Sequence, residues 1–450
     1  MANVIKLRKG LDINLKGKAA EEKANVKATG LYGLVPDDFV GVKPKVVVKE
    51  GDCVKAGDAL FVDKKHPEVK FVSPVAGTVS AVERGERRKV LSVQVTASEQ
   101  QEYVDFGKKN VAAVKGGEVL TALLESGLFA FFRQRPYDVT PAPEVAPKSI
   151  FVSAFSSMPL AQNFEFALKG NEADFQTGLD ALAKIAPTFL GVSAKQTAPA
   201  LTGAKNVTVT VFDGPNPAGN VGVQINHVAP VNKGEVVWTV NPEVVIFIGR
   251  LFNTGKVDLT RTVAFAGSEV NAPKYVNMLV GQQLTTLVEG NVSTDKHIRI
   301  INGNPLTGTK TCKDGFLAAQ ATEVTVIPEG DETHELFGWI APRLNQFSAS
   351  RSYFSWLMPK KEGYVLDARV KGGHRHMIFS GEYDSVFPMD IYPEQLLKAI
   401  ITGNIDSMEA LGVYEVAPED FAVAEFVDSS KVELQRIVRE GLNMLRKENE

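Results

Sequence analysis

Residues 48–60 read VKEGDCVKAGDAL and residues 73–79 read SPVAGTV, and these two stretches decide the fold of the N-terminal part of the chain. Short valine-rich runs are separated by turns at Gly51, Gly57 and Gly77. Glycine permits the positive φ angles of tight turns, and alternating valines fill a thin core. The pattern over residues 43–101 therefore predicts a small, flattened β-barrel.

This pattern resembles the biotinyl and lipoyl carrier domains, whose barrel-sandwich fold carries a cofactor on a lysine at a hairpin tip. The corresponding hairpin here reads Asp63-Lys64-Lys65-His66-Pro67-Glu68, so the candidates for modification are Lys64 and Lys65. Two adjacent lysines and a nearby proline differ from the symmetric tip of carrier domains. We therefore expect this module to act as a scaffold, with a carrier protein that uses a modified lysine as the alternative.

Composition excludes several classes of protein. The chain has 450 residues, which is typical of roughly three domains, and 50 Lys and Arg stand against 53 Asp and Glu. Without an excess of positive charge, nucleic acid is not an expected partner. We find no run of 18 apolar residues and no apolar signal-peptide core at the start, so we expect a soluble cytoplasmic chain. Two cysteines cannot supply the four thiolates of an iron–sulfur cluster.

Residues 102–256 predict a Rossmann-like α/β domain, because helical stretches alternate with continuous apolar runs. Buried strands are predicted at Val207–Phe212, Val236–Val240 and Val244–Ile248. A dinucleotide would need a glycine-rich turn that offers backbone amides to phosphate, and no G-x-G-x-x-G occurs. The nearest candidate, residues 213–220, contains prolines that remove such amides. Residues 303–311 differ by one inserted residue from a P-loop and are predicted to be a surface loop.

Residues 257–329 alternate short strands with one short helical segment, which predicts an α+β module of the β-grasp (SLBB) type. From about residue 389 the apolar period becomes helical and continues into a terminal helix. The predicted divisions are an N-terminal segment at 1–42, the barrel-sandwich at 43–101, the Rossmann-like domain at 102–256, the β-grasp domain at 257–329 and a C-terminal domain ending in helices at 330–450.

Residues that could carry catalysis or bind a metal give little signal. His374 and His376 would share one face of a strand, but no third ligand follows at motif spacing, so we predict no metal site. No nucleophile–base pair or paired-carboxylate motif is evident, so no catalytic residue is predicted.

Four stretches carry a resemblance that covers essentially the whole chain in order. They are LRKGLDINLKG at 7–17, DKKHPEVKFVSP at 63–74, IGRLFNTG at 248–255, and the tract from Gly373-His374-Arg375 to Pro388-Met389-Asp390-Ile391. All four closely resemble the NqrA family, one of the subunits of the bacterial sodium-translocating NADH:quinone oxidoreductase (Na⁺-NQR). The matches are specific because they fall in every region rather than in one common module.

The resemblance implies a peripheral protein at the cytoplasmic face of the bacterial inner membrane, held there by the other members of a six-subunit complex. That complex oxidises NADH, reduces ubiquinone or a related quinone, and exports Na⁺. The family assigns NAD, FAD, FMN and iron–sulfur centres to other subunits. The resemblance therefore implies that the isolated chain is not catalytic and binds no cofactor tightly.

The family's fold is similar to the NADH-binding flavoprotein subunit of complex I, which holds FMN over a glycine-rich loop that follows a helix. The corresponding stretch here is SGLFAFFRQRP at 126–136, where bulky rings replace glycines. The relatives also carry cysteine ligands in their C-terminal helical region, and FVDSSK at 426–431 has none. We therefore expect that this chain holds neither flavin nor an iron–sulfur cluster.

Two hypotheses follow for the function of the chain itself. The first is a structural and docking subunit without chemistry of its own. The second is a quinone-binding subunit, because a quinone needs an apolar, aromatic groove with donors for its carbonyls. The candidate quinone contacts are Phe129, Phe131, Phe132 and Arg133, with Tyr32 as a weaker candidate. The alternative for these rings is that they only pack against the sheet and its helix.

Overall fold

The computed structural model describes residues 3–293, 295–331, 337, 342–357 and 363–449, so parts of the predicted C-terminal domain at 330–450 lie outside the described residues. The strands, numbered along the chain, are β1 (Asn3–Lys6), β2 (Ala20–Ala24), β3 (Leu31–Leu34), β4 (Pro44–Val46), β5 (Cys53–Val54), β6 (Ala59–Asp63), β7 (Lys70–Val72), β8 (Gly77–Arg84), β9 (Val90–Ala97), β10 (Arg133–Arg135), β11 (Ser149–Ser153), β12 (Thr188–Ser193), β13 (Thr208–Asp213), β14 (Val237–Thr239), β15 (Thr260–Ala266), β16 (Lys274–Leu279), β17 (Ile298–Asn302), β18 (Thr309–Thr311) and β19 (Glu323–Pro328). The helices are α1 (Gly116–Glu125), α2 (Phe164–Ala167), α3 (Glu172–Ile185), α4 (Pro199–Thr202), α5 (Val221–Val228), α6 (Pro242–Thr254), α7 (Thr285–Val288), α8 (Pro393–Thr402), α9 (Ile405–Ala410), α10 (Ala422–Val427) and α11 (Leu434–Asn449).

Two small sheets form the predicted barrel-sandwich. One has the order β3–β9–β8–β5 and the other β4–β6–β7. Phe61 and Phe71 stack between them with ring centroids 4.5 Å apart. Phe39 meets Phe71 edge-on at 4.6 Å and Phe131 at 5.8 Å, so the barrel core continues into the α/β domain. The barrel is thus packed against the rest of the chain.

The central sheet has the order β1–β13–β12–β11–β14–β10, and every neighbouring pair is parallel except β10 and β14. Its core on one side includes α1, α3 and α6, and its core on the other includes α5 and the C-terminal helices α8 and α11. Helices on both faces of a mostly parallel sheet are the arrangement that a doubly wound fold requires. The prediction of a Rossmann-like domain is confirmed.

The prediction that residues 244–248 form a strand is wrong, because they lie in α6. Asn241 caps this helix by accepting a hydrogen bond from the backbone N–H of Glu243, and Pro242 takes the first helical position. The helix is buried on nearly every side, so its apolar run has no polar face from which a helical period could be recognised. A Cβ at Gly249 would lie 1.7 Å from the carbonyl oxygen of Asp174, so glycine allows α6 to approach α3 this closely.

The third sheet has the order β18–β17–β19–β15–β16–β2, with α7 packed in its core. It confirms the predicted β-grasp module. The loop predicted at residues 303–308 joins β17 to β18 as a hairpin loop. Residues 1–42, predicted as a separate segment, contribute β1 to the central sheet, β2 to the β-grasp sheet and β3 to the barrel.

The C-terminal helices pack on the central domain through one apolar cluster. Leu434, Val438, Leu442 and Leu445 of α11 are completely buried there, together with residues of α8 and of the central sheet. In the part of the chain that the structure describes, none of the helices is both long and apolar enough to cross a bilayer.

Candidate functional site

A cleft of about 510 Å³ lies at the carboxyl ends of the central strands. Its lining includes Ser153 and Thr239 at the ends of β11 and β14, the hairpin loop that follows β17, and Glu419 from the C-terminal region. In open α/β sheets, ligands bind in the crevice outside the carboxyl ends of the strands. This cleft, built by three regions of the chain, is therefore the candidate functional site.

The loop after α1 brings one of its aromatic rings to the cleft and keeps two in the core. Phe131 is a lining residue. Phe129 and Phe132 stack with centroids 5.4 Å apart, and each meets the edge of Trp238, at 5.3 and 5.7 Å respectively. All three of these packed rings are fully buried. They therefore fill the space beneath the loop with side chains.

The same loop is pressed against the barrel. Gly127 has a φ of 74°, and a Cβ there would lie 2.6 Å from Cγ1 of Val72. Only glycine fits that backbone conformation without strain. The close contact fixes the start of the turn that carries Phe129 and Phe131.

Tyr32 lies away from the cleft lining. It pairs with Val95 between β3 and β9, and a second backbone bridge joins it to Gln282 of the β-grasp module. Its side chain is buried, and burial raises the pKa of the Tyr32 hydroxyl. Of the five residues predicted to contact quinone, the structure brings Phe131 and Arg133 together in the cleft and places Phe129, Phe132 and Tyr32 in the surrounding packing.

Charged side chains of β10 join the cleft to the C-terminal region. Arg133 lines the cleft and approaches Asp138 with a 3.5 Å ion pair. Arg135, which is 1% exposed, donates to Asp138 at 2.7 Å and to Glu419 at 3.2 Å. Arg439 of α11 also donates to Asp138.

Asp138 is the centre of this cluster. Burial alone would raise the pKa of its carboxyl, but the guanidiniums of Arg135, Arg133 and Arg439 outweigh burial and hold the pKa well below its usual range. The carboxylate is therefore ionised at neutral pH. It fixes the two cleft arginines against a helix about 300 residues further along the chain.

Asp420 occupies the position where a doubly wound fold would place a phosphate. Its carboxyl lies at the N-terminus of α5, and a Cβ at Gly222 would fall 2.3 Å from its Oδ2. It accepts hydrogen bonds from the backbone N–H of Ala417 at 2.9 Å and from the Asn220 amide at 3.4 Å. Helix N-termini attract anions, so an acidic side chain of the chain itself fills a natural anion position.

Burial, with the nearby charge of Glu419 adding to it, raises the pKa of Asp420 to about 7. The carboxyl thus retains its proton well above the pH at which an exposed aspartate loses it.

A second polar cluster lies beside the cleft around Arg261. Its guanidinium donates to the carbonyls of Ala321 at 2.8 Å and Ala319 at 2.9 Å. Burial lowers the pKa of Arg261 to about 10, although the nearby carboxyls, with Glu243 first among them, counteract this. The buried carboxyls Glu243 and Glu323 are linked through Gln162, which donates its amide to the first and its backbone N–H to the second.

Asp38, the third carboxyl near Arg261, lines the cleft itself. Loss of water contact raises its pKa to about 6, although the backbone N–H of Ala319 donates to its Oδ2 at 2.8 Å and partly offsets that rise. A carboxyl with this pKa can hold or release a proton close to neutral pH.

The sequence did not reveal Asp38, Asp138 or Asp420 as site residues. They lie in three different regions, and nothing in their spacing connects them. Arg135 was visible only as part of the stretch at 126–136. The remaining signal, an aspartate directly after a proline–glutamate pair at 418–420, is too common to indicate a site.

Other candidate residues lie elsewhere. Lys64 and Lys65 are exposed on the loop between β6 and β7. His374 and His376 are exposed in an irregular segment rather than on a strand, and Nδ1 of His374 is 2.8 Å from the carbonyl oxygen of Lys431. The strand assumed for this histidine pair is therefore wrong. Both cysteines are free and exposed.

Together these features describe a cleft with an aromatic wall, a fixed guanidinium and a carboxyl poised to titrate near neutrality. Its size is in the range of small-molecule sites. The aromatic wall suits a flat ring, while Arg133 offers hydrogen-bond donors to a carbonyl oxygen.

Three family models match the chain. They are described as the NqrA N-terminal barrel-sandwich hybrid domain at residues 5–98, the NqrA second alpha/beta domain at residues 114–257 and the NQRA C-terminal domain, of SLBB type, at residues 262–313. The matches fall on the barrel, the central α/β domain and part of the β-grasp sheet described above.

Full-length relatives are also similar to this chain. A protein from Neisseria meningitidis serogroup B, named as the NqrA component of Na(+)-translocating NADH-quinone reductase, is 35% identical over 451 residues, covering 99% of this chain and 100% of the relative. A protein of the same name from Vibrio vulnificus is 36% identical over 448 residues, with the same shares of each chain covered.

Among solved structures, that of a NAD⁺-reducing NiFe-hydrogenase in the air-oxidised state matches with a TM-score of 0.34 and 15% identity, covering 51% of this chain and 52% of that chain.

Proposed function

The chain belongs to the NqrA family of Na(+)-translocating NADH-quinone reductase, and from this premise we propose that it is the peripheral NqrA component of a complex that couples NADH oxidation and ubiquinone reduction to Na⁺ export. On this proposal it associates with the cytoplasmic face of the bacterial inner membrane through the other members of a six-subunit assembly. Electrons pass through NAD, FAD, FMN and iron–sulfur centres held by those other subunits.

Within the complex, we assign this chain a structural and docking role without a flavin or cluster of its own. Three observations support this. Packed rings fill the space beneath the loop at 128–132, the Asp420 carboxyl occupies the N-terminus of α5, and the two cysteines of the chain are too few for a cluster. These features leave no obvious cradle for a flavin phosphate.

We further propose that the cleft receives the head group of a quinone. The observation that carries this proposal is the juxtaposition of Phe131 and Arg133 on the lining of a 510 Å³ cleft. The ring of Phe131 offers an apolar face to the quinone, and the guanidinium of Arg133 donates to one of its carbonyls. Phe129 and Phe132 act from behind by holding Phe131 in place, and Tyr32 has no contact with the ligand.

The docking role is tested on the purified full chain and on the complex. The chain should show no flavin absorbance and should oxidise no NADH, whereas a complex reassembled without it should lose quinone reductase activity. Flavin bound tightly at one equivalent per chain would contradict the proposal.

Quinone binding is tested by titrating the full chain with a short-chain ubiquinone while following bound ligand by equilibrium dialysis. Phe131→Leu and Arg133→Gln should weaken binding, and Tyr32→Phe should leave it unchanged. Equal affinity for wild type, Phe131→Leu and Arg133→Gln would remove the cleft as the quinone site.

The carrier alternative predicts a different result. Intact-mass measurement of the native protein would then show an added lipoyl or biotinyl group on the peptide that contains Lys64 and Lys65. An unmodified mass supports the scaffold role of the barrel.

A further inference from the structure

A surface distant from the cleft lining brings together a histidine and two glutamates from separate parts of the chain. His66 and Glu68 lie on the loop between β6 and β7, and Glu144 lies on the proline-rich crossing between β10 and β11. Nδ1 of His66 is 3.4 Å from Oε2 of Glu144 and 3.9 Å from Oε1 of Glu68. One potential ligand atom from each of the three side chains lies within 4.8 Å of the other two.

Both loops present their glutamate in the same way. His66-Pro67-Glu68-Val69 closes a turn through a hydrogen bond from the N–H of Val69 to the carbonyl of His66, at 2.9 Å. Ala142-Pro143-Glu144-Val145 closes the same turn, from Val145 to Ala142, at 3.2 Å. In each turn proline takes the second position and glutamate the third, and the proline ring fixes φ there. Two matching turns thus hold the carboxylates on opposite sides of one imidazole.

The crossing that carries Glu144 is itself anchored on both sides. The N–H of Thr140 donates to the carbonyl of Val40, and the N–H of Lys148 donates to the carbonyl of Val236. Pro141 and Pro147 are buried, while Glu144 between them is exposed. Little conformational entropy remains to be lost when the three side chains converge on a ligand.

We propose that His66, Glu68 and Glu144 form a binding site for a divalent transition-metal ion, with Zn²⁺ as the ion that fits best. One imidazole nitrogen and two carboxylate oxygens suit Zn²⁺ better than Mg²⁺ or Ca²⁺, which prefer all-oxygen sites. Tetrahedral Zn²⁺ ligands are separated by about 3.4 Å. The His66–Glu144 distance matches this value, and small side-chain rotations bring Glu68 to it, so water completes the coordination.

The bound ion would fasten the crossing to the barrel hairpin. This crossing continues from β10, the strand that carries Arg133 and Arg135, so the site stabilises the connection between the barrel and the cleft. The exposed lysines Lys64 and Lys65 lie beside it and lower its affinity for cations, an effect that added salt screens.

The experiment is a calorimetric titration of the metal-free full chain with Zn²⁺. One equivalent should bind, and His66→Ala, Glu68→Gln and Glu144→Gln should each weaken binding at least about 10-fold, since ligands matter no less than the second-shell partners whose loss costs that much. Glu99→Gln is the matched control, because Glu99 is exposed on the barrel and lies outside the site. A His374→Ala/His376→Ala variant controls for the other histidine pair.

Co²⁺ gives a second readout, because its visible absorption reports directly on a mixed nitrogen and oxygen ligand set. The spectrum should appear in wild type and in both controls and should be lost in His66→Ala. The proposal is overturned if wild type binds no Zn²⁺, if His66→Ala binds it as well as wild type, or if binding is lost only in the His374/His376 variant.

Discussion

Replacing Phe132 with alanine should separate packing from ligand binding. Phe132 is fully buried, stacks on Phe129 at 5.4 Å and meets the edge of Trp238 at 5.7 Å. Truncating a buried phenylalanine costs about 3–5 kcal/mol, because the transfer free energy of the ring is lost and a cavity remains. Each aromatic contact contributes a further 0.5–1.5 kcal/mol, on the order of what a double-mutant cycle measures.

The assay is urea unfolding followed by the fluorescence of Trp238, in a background where Trp339 and Trp356 are replaced by phenylalanine. Because Trp238 lies in the central sheet, its signal reports on that domain. We expect Phe132→Ala to lower the unfolding free energy by about 3–5 kcal/mol. Phe132→Leu, which keeps most of the volume, should lower it by less than about 1.5 kcal/mol.

In the same proteins, the affinity for a short-chain ubiquinone should not change by more than about 2-fold, since Phe132 does not line the cleft. A Phe132→Leu variant that keeps its stability and yet loses quinone binding would refute the reasoning, because the ring would then contact the ligand directly.

Three further predictions concern charged residues. Arg133→Gln should weaken quinone binding at least about 10-fold, as expected for loss of a charged hydrogen bond, whereas Arg8→Gln on the exposed N-terminal segment should not; equal effects would contradict the role of Arg133. Asp138→Asn should lower the unfolding free energy by about 3–5 kcal/mol, because the buried guanidinium of Arg135 loses its closest ion pair; a loss below about 1 kcal/mol in urea unfolding would contradict this. Asp420 has a pKa raised to about 7, so the folded chain holds a proton that the unfolded chain releases, and wild-type stability should fall as pH rises from about 4 to about 7 and level off above it. Asp420→Asn should remove that part of the pH dependence, by an amount on the order of 1 kcal/mol or more between pH 5 and pH 8, and an unchanged pH profile would count against the buried, protonated carboxyl.

Local patterns identified most modules correctly. The valine runs and glycine turns of the barrel, the alternation of strands and helices around β11 to β13, and the apolar face of α11 all depend on neighbours in sequence. The exception is α6, where burial on nearly every side removed the period that marks a helix. Its cap at Asn241 and Pro242 was the available signal, and the apolar run outweighed it.

The cleft could be predicted only in part. Phe131 and Arg133 were accessible because one loop carries both, and a loop can be compared with known patterns. Asp38, Asp138 and Asp420 could not be found in this way, since their roles depend on partners elsewhere in the chain. The pairing of Asp138 with Arg439 and the position of Asp420 against α5 join residues about 200 to 300 positions apart.

The amino-acid sequence alone determined the modules, the family and the shortage of thiolates, because each of these depends on residue type and short-range spacing. The tertiary structure decided which rings reach the cleft, which acidic side chain fills the N-terminus of α5, and how the first 34 residues are distributed over three sheets. The physical reason is that burial and electrostatic pairing are set by contacts between distant segments, and local sequence does not encode where such segments meet.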